Sequence, residues 1–352
     1  MSILTINAGS SSIRFAVYED LNRQLSGRIE RIGIPGTTLV VEGKSIPVPG
    51  DPVTFLIKWL EKQTVVSAIG HRIVHGLKHS RPERITAKLL AELHRITPYA
   101  PEHLPREIEL IEAFRKRHPR LAQVACFDTA FHRTMPPVAK LIPIPRRYQK
   151  QGIERYGFHG LSCAHLMEEL GRLAPEVAKG RVILAHLGNG SSLTAVKNGE
   201  SVDTSMAFTP AAGLVMSTRT GDLDPGLLYF LSRSEGITPA RFHRMVNHQS
   251  GLLGVSGLSS DMRDLLRRES SNRHAAEAVA LYCYQAKKWI GSFAAVLGGV
   301  DALVFTGGVG ENSPVIRDRI CEGLEFLDIA SKVRVIPADE EIMIARAVRD
   351  IN

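Results

Sequence analysis

Long hydrophobic runs are missing from this chain. Its longest apolar-rich stretch, about Ala275 to Leu297, is interrupted by Lys287 and Lys288 beside Trp289. Such a stretch predicts a long amphipathic helix and argues against a membrane span. Met1-Ser2 leads directly into a strand-like run, so no secretory leader is expected. Cysteine is scarce. Cys126, Cys163, Cys283 and Cys321 are scattered, with no CxxC pair and no zinc-like histidine spacing. Free buried thiols in a reducing cytoplasm are the expectation. Neither a Walker A run (GxxxxGK[ST]) nor a Rossmann GxGxxG occurs, so the two commonest phosphate-loop signatures are excluded. Low-complexity tracts and Pro/Gly-rich linkers are also lacking.

Charge is present in both signs, with 44 basic and 36 acidic residues and a net charge of +8. The densest basic run, "FRKRHPR" from Phe114 to Arg120, closes an apolar-periodic helix and ends near a proline. It reads as a solvated helix end, without the aromatic interleaving of a nucleic-acid site. Small anionic ligands account for the basic excess, and neither nucleic acid nor membrane is expected as a partner.

At 352 residues the chain exceeds what one core usually serves, so two domains are expected. Strand-like runs include "ILTI", "IRFAVY", "TLVVEG", "VSAIGHRIVHG", "QVACF", "VILAHL", "SLTAVKNG", "ALVFT" and "KVRVI". Helical periodicity fits about 51–62, 87–96, 105–117, 161–173, 226–232, 240–247 and a long segment from about 272. Hairpins come first and strands then alternate with helices, in each half, which predicts an α/β chain with mixed sheets. One device occurs twice. "ILTINAGSSSIRF" and "VILAHLGNGSSLTAV" are each a buried strand, a Gly/Ser turn and a second strand. Such turns expose successive backbone N–H groups and can bind phosphate oxygens. A third glycine loop, "FTGGVGENS", follows the strand "ALVFT".

Polar groups also stand inside apolar runs: Arg72 in "AIGHRIVHG", Asp128 in "CFDTAFH", His159 in "RYGFHG" and Arg219 in "MSTRTGDLDPG". Each alone has a structural explanation as an internal ion pair, a turn cap or a satisfied core histidine. Together, two arginines, an aspartate and a histidine beside phosphate turns meet the needs of phosphoryl transfer, which asks for positioning and cations.

In order along the whole chain, "INAGSSSIRF", "GHRIVHG", "FDTAFHRTMP", "YGFHG", "HLGNGSS", "STRTGDLDP", "SGLSSDMRDL" and "FTGGVGEN" resemble the acetate kinases. The resemblance implies two duplicated ribonuclease-H-like domains, of the type shared by actin, Hsp70 and sugar kinases, with a nucleotide cleft between them. It implies an N-terminal acyl-substrate and phosphate domain, 1–129 with 340–352, and a nucleotide-binding domain, 130–339. The implied reaction is reversible phosphorylation of acetate by ATP, with Mg²⁺ or Mn²⁺, in a homodimer.

By motif, Asn7 and Glu340 would sit near the metal. Ser10, Ser12 and Arg14 would approach the phosphates, as would His186, Leu187, Gly188, Asn189 and Gly190. Asp261, Met262, Arg263, Gly308, Val309, Gly310, Glu311 and Asn312 would surround the nucleotide. Arg72 would hold the carboxylate, with Val74, Phe158 and Pro210 around its methyl group and His103 nearby. Arg72, Asp128, His159 and Arg219 would be catalytic. A carboxylate acceptor is already ionised at neutral pH, so Asp128 is expected to position Mg²⁺ or arginine side chains rather than remove a proton. Departures from the pattern cluster on the acyl side: Leu77 in "HGL", Glu102 and Leu104 in "APEHLP", and Ala212 in "TPAAGL". Arg14 replaces the usual lysine, and the segment after Leu327 is short. Propionate or another small carboxylate is the alternative acceptor, and a non-catalytic nucleotide-gated module is a further alternative.

Overall fold

The computed structural model describes residues 1–9 and 12–351, so Ser10 lies outside the described residues. The chain divides into two compact units, Met1–Ala130 with Asp339–Asn352, and Phe131–Ala338.

In the first unit a meander runs through β1 (Ser2–Ala8), β2 (Ile13–Glu19), β3 (Asn22–Glu30), β4 (Thr38–Val41) and β5 (Lys44–Pro47). Three further strands follow, β6 (Ala68–Ile73), β7 (Glu83–Arg84) and β8 (Ala122–Phe127), and the sheet order is β5-β4-β3-β2-β1-β6-β8-β7. β1 is antiparallel to β2 but parallel to β6, and β6 is parallel to β8. Alternation is lost in β1, where six successive residues are buried, because helices and sheet cover both faces of a central strand. α1 (Pro52–Leu60) starts where the Asp51 side chain accepts the Thr54 N–H at 2.7 Å. α2 (Ala87–Ile96) begins in the same way at Thr86. α3 (Leu104–Arg117) buries Leu104, Ile108, Ile111 and Phe114 on one stripe. The closing helix, Glu340–Ile351, returns to pack on β1, β6 and β8.

The second unit has β9 (Arg181–Leu187), β10 (Ser191–Lys197), β11 (Glu200–Thr204), β12 (Ala302–Thr306) and β13 (Val333–Val335), in the order β11-β10-β9-β12-β13. β9 is antiparallel to β10 and parallel to β12, which is parallel to β13. This repeats β3-β2-β1-β6-β8 strand for strand and direction for direction, so the duplicated turns stand in equivalent places. The long helix Arg273–Leu297 is amphipathic as expected, burying Ala275, Val279, Tyr282, Ala286, Ile290, Phe293 and Leu297.

Two features differ from the sequence expectation. β3, "NRQLSGRIE", is a strand with few apolar residues, drawn into the sheet by its neighbours β2 and β4. "FTGGVGENS" is not an open loop: Gly307–Asn312 forms a short helix. The Glu311 carboxylate accepts the Gly307 N–H at 2.8 Å and the Ala338 N–H at 3.0 Å, fastening that helix to its strand end. Gly307 adopts φ +79°, and a Cβ there would lie 2.7 Å from the Leu187 carbonyl oxygen. All four cysteines are free, and Cys126, Cys163 and Cys283 are buried. Burial pushes the Cys126 thiol up to about 12, so it is chemically inert near neutral pH. Among the described residues, no helix is long and apolar enough to cross a membrane.

Candidate active site

The polar residues singled out by sequence gather at the carboxyl ends of the central strands in each unit, where open α/β sheets bind ligands. In the first unit, Arg72 is the penultimate residue of β6 and Asp128 follows β8. The Asp128 N–H donates to the Ile73 carbonyl at 2.8 Å, extending the parallel β6/β8 ladder by one residue. That register brings Arg72 Nη2 to 2.7 Å from Asp128 Oδ2, while Nη1 reaches the Ala8 carbonyl at 3.4 Å. The Arg72 side chain is only 10% exposed and Asp128 is fully buried. Burial by itself would lower the Arg72 pKa, but the facing carboxylates of Asp128, Glu340 and Glu107 outweigh it and hold the guanidinium firmly charged. Among the described residues, Arg72 Nε has no hydrogen-bond acceptor.

At the end of β1, the Asn7 carboxamide donates to Glu340 Oε2 at 2.7 Å and to Glu341 Oε1 at 3.3 Å. Burial, then the charge of Glu340, raises the Glu341 pKa. Arg14 is exposed on β2, in register with Asn7, and Ser12 closes the turn through its carbonyl, 2.8 Å from the Gly9 N–H. Val74 and His103 are buried in this unit. Leu104 is the first residue of α3 and is buried, Glu102 is half-buried in the turn before it, and Leu77 adopts φ +50°.

In the second unit the turn Gly188-Asn189-Gly190 joins β9 to β10. The Asn189 carbonyl accepts the Ser217 N–H at 3.2 Å, tying this turn to the loop that carries Arg219. Arg219 Nη1 reaches the Pro210 carbonyl at 3.4 Å. A Cβ on Gly190 would stand 3.3 Å from His159 Nε2 and 3.6 Å from Arg219 Nη1, so the turn brings its backbone between the two side chains. His159 precedes the helix Gly160–Leu173 in the left-handed conformation, φ +59°. Such a backbone costs about 1–3 kcal/mol in a residue with a Cβ and gathers at functional sites. The His159 ring stacks on His186 at a centroid separation of 4.1 Å. His159 Nδ1 lies 2.9 Å from Ser192 Oγ, and His186 Nδ1 lies 2.9 Å from Ser162 Oγ. Phe158 is buried and Pro210 half-buried, beside the loop that includes Ala212.

The glycine helix Gly307–Asn312 approaches the Leu187–Gly188 corner: Gly308 N would be 3.8 Å from a Cβ on Gly188, and Gly310 packs on Leu187. Val309 sits on the same helix, and the Asn312 amide donates back to the Gly308 carbonyl at 3.0 Å. Asp261 instead caps the helix Met262–Arg268, accepting the Arg263 N–H at 2.8 Å and pairing with the Arg263 guanidinium at 2.5 Å. Those two residues pair with each other rather than with the glycine turn.

Four residues that sequence reasoning passed over belong to these clusters. Glu107 on α3 is buried, and its carboxylate oxygens lie 3.0 and 3.2 Å from the Val74 N–H. His132 Nε2 donates to the Phe158 carbonyl at 2.9 Å and its Nδ1 accepts from Ser201 Oγ at 3.0 Å, which holds the turn before His159. Ser162 and Ser192 orient the two histidines. A signal existed for Glu107 alone: it stands on the apolar stripe of α3, where a charge is out of place.

Comparison with known proteins follows the same lines. The profile of the Acetokinase family matches residues 2–344. An acetate kinase of Rhodopseudomonas palustris is 40% identical, covering 98% of this chain and 97% of its own. One from Bacillus cereus is 39% identical over 98% of each chain. Both alignments run over more positions, 391 and 387, than the 352 residues present here, so these relatives carry segments this chain lacks. Among solved structures, Porphyromonas gingivalis acetate kinase matches with a TM-score of 0.88 at 35% identity, over 99% of both chains. A propionate kinase from Francisella tularensis matches with a TM-score of 0.93 at 34% identity over the whole of both. With the duplicated sheets, the ordered motifs and a family profile spanning nearly the entire sequence, this chain belongs to the acetokinase family.

Proposed function

We propose that this chain transfers the γ-phosphoryl group of ATP to a short-chain carboxylate, reversibly and in line, with acetate the first candidate and propionate the second. The observation that carries this reading is Arg72: a buried guanidinium braced by Asp128, with an Nε–H that has no acceptor. An unmet buried donor costs about 1–3 kcal/mol, which a bound carboxylate or acyl phosphate would relieve. The nucleophile arrives ionised, so no base is required. What the reaction requires is cancellation of the repulsion between acceptor and phosphate. Asp128, committed to Arg72, orients that charge. His159 and Arg219, side by side at Gly190, are the donors assigned to the transferring group.

Val74, His103, Phe158 and Pro210 are assigned to the acyl group. The turns that include Ser10, Ser12 and Arg14, and His186 to Gly190, are assigned to the phosphates. The helix Gly308–Asn312 and the Asp261–Arg263 segment take the rest of the nucleotide. Asn7 and Glu340 fit a hard divalent cation. One carboxamide faces two neighbouring carboxylates, and Mg²⁺ binds through one or two carboxylates while keeping its waters. Mg²⁺ bound there would neutralise phosphate charge. A homodimer is supported by Leu227, Tyr229 and Phe230, exposed by 39%, 73% and 62% on the helix Gly226–Ser234, none of whose residues is buried. Four free thiols suit a reducing cytoplasm.

The test is incubation with MgATP and a panel of carboxylates, trapping acyl phosphate with hydroxylamine. Arg219→Ala should lower kcat by roughly a hundredfold, and Arg72→Ala should raise KM for the carboxylate by about tenfold or more. Near-normal kinetics in either variant would show that the site is misassigned.

A further inference from the structure

We propose that Glu107 is a positioning residue for the carboxylate acceptor, acting through the Val74 backbone and the charge of Arg72. The inference rests on the reading of Arg72 as the acceptor's partner. Its geometry is independent of that reading. Glu107 projects from α3 into the interior, 1% exposed, and both its oxygens straddle the Val74 N–H. Val74 is two residues beyond Arg72, so the α3 side chain holds the corner where β6 ends. Among the described residues, no arginine or lysine is bonded to Glu107. Its opposite charge is Arg72, already paired with Asp128.

Arg72 therefore supplies the one positive charge that faces three carboxyl groups, Asp128, Glu107 and Glu340. With Glu107 protonated, the cluster carries one negative charge fewer and the Arg72 Nε–H remains attractive to an anion. With Glu107 ionised, the added negative charge repels an incoming carboxylate. Burial pushes the Glu107 carboxyl up to about 8, although Arg72 and the Val74 N–H pull it down and Asp128 adds to the rise. The protonated form is thus well populated at neutral pH. Other ionisable groups nearby do not replace it in this role. His75, next to Val74, is lowered by burial to about 4 and stays neutral. His103 precedes α3 as its N-cap residue. On the helices packed against α3, Lys58 of α1 and Lys88, His94 and Arg95 of α2 are exposed, and Glu92 is tied to His79 and Arg95.

The experiment measures KM for acetate and kcat, at saturating MgATP, from pH 6.5 to 9 in the wild type, Glu107→Gln and Arg72→Ala. Acetate does not titrate in that range. In the wild type, KM for acetate should rise at least fivefold between pH 7 and 9 while kcat changes less than twofold. Glu107→Gln should hold the low KM across the range. A wild-type KM that stays flat overturns the proposal, even if the variant fails to fold. So does a Glu107→Gln enzyme that keeps the full rise. If Arg72→Ala leaves KM unchanged, the reading of Arg72 fails instead, and the two failures are told apart.

Discussion

Glu107 has a consequence for stability as well as for binding. Its carboxyl titrates near 4.5 in an unfolded chain and near 8 in the folded one, because burial disfavours its charge. The folded state binds the proton more tightly, so this group's contribution to stability is complete below about pH 4.5. It is lost progressively as pH rises through 8. Glu107→Gln removes the titration. Thermal unfolding at pH 5, 7 and 9 should show the wild type losing Tm relative to Glu107→Gln as pH rises; parallel curves would mean the carboxyl is not buried in its ionisable form. Arg72 and Asp128 behave differently. Removing either deprives the other's buried charge of this ion pair, at a cost of about 3–5 kcal/mol. Kinetic effects at those positions must therefore be measured on enzyme shown to be folded.

At the scale of the element, the strand-to-turn junctions carry the chemistry, and backbone geometry decides what they tolerate. Gly307 opens the glycine helix at φ +79°, with the Leu187 carbonyl where a side chain would begin. Gly307→Ala should destabilise the protein by about 1–3 kcal/mol, through strain and displacement of Leu187. The same change should raise KM for ATP more than KM for acetate, because the Leu187–Gly188 corner moves with it. Denaturant unfolding and the two KM values check this; equal effects on both substrates would remove the helix from the nucleotide side. The junction also shows why composition misled. Glycine-rich "FTGGVGENS" reads as a loop, yet the Glu311 carboxylate, bonding the Gly307 and Ala338 N–H groups, stabilises a helix there. β3 was hidden for a related reason: a meander strand paired on both edges by β2 and β4 needs few apolar residues of its own.

For the molecule as a whole, the exposed apolar helix Gly226–Ser234 is the feature a second copy would cover. On the proposal of a homodimer closed by this helix, Phe230→Asp with Tyr229→Lys should leave each chain folded, since neither residue is buried, and should halve the mass measured by light scattering. A mass unchanged by the double substitution would place any self-association elsewhere.

Read alone, the amino-acid sequence already determined the class of fold, the repeated strand-turn-strand device and the identity of Arg72, Asp128, His159 and Arg219 as residues out of place in apolar surroundings. These are local signals, written in periodicity, glycine turns and misplaced charge. The amphipathic helix from about 272 and α2 at 87–96 were equally local. What only the tertiary structure decided are the partnerships across long separations. Arg72 meets Asp128 because parallel β6 and β8 end in register. His159 stacks on His186 because the turn held by His132 delivers it to the end of β9. Glu107 reaches the Val74 N–H across 33 residues, and the helix Glu340–Ile351 returns to bring its carboxylates to Asn7. Sheet register and helix docking set those distances. Both depend on the packing of the whole unit, which no window of sequence contains.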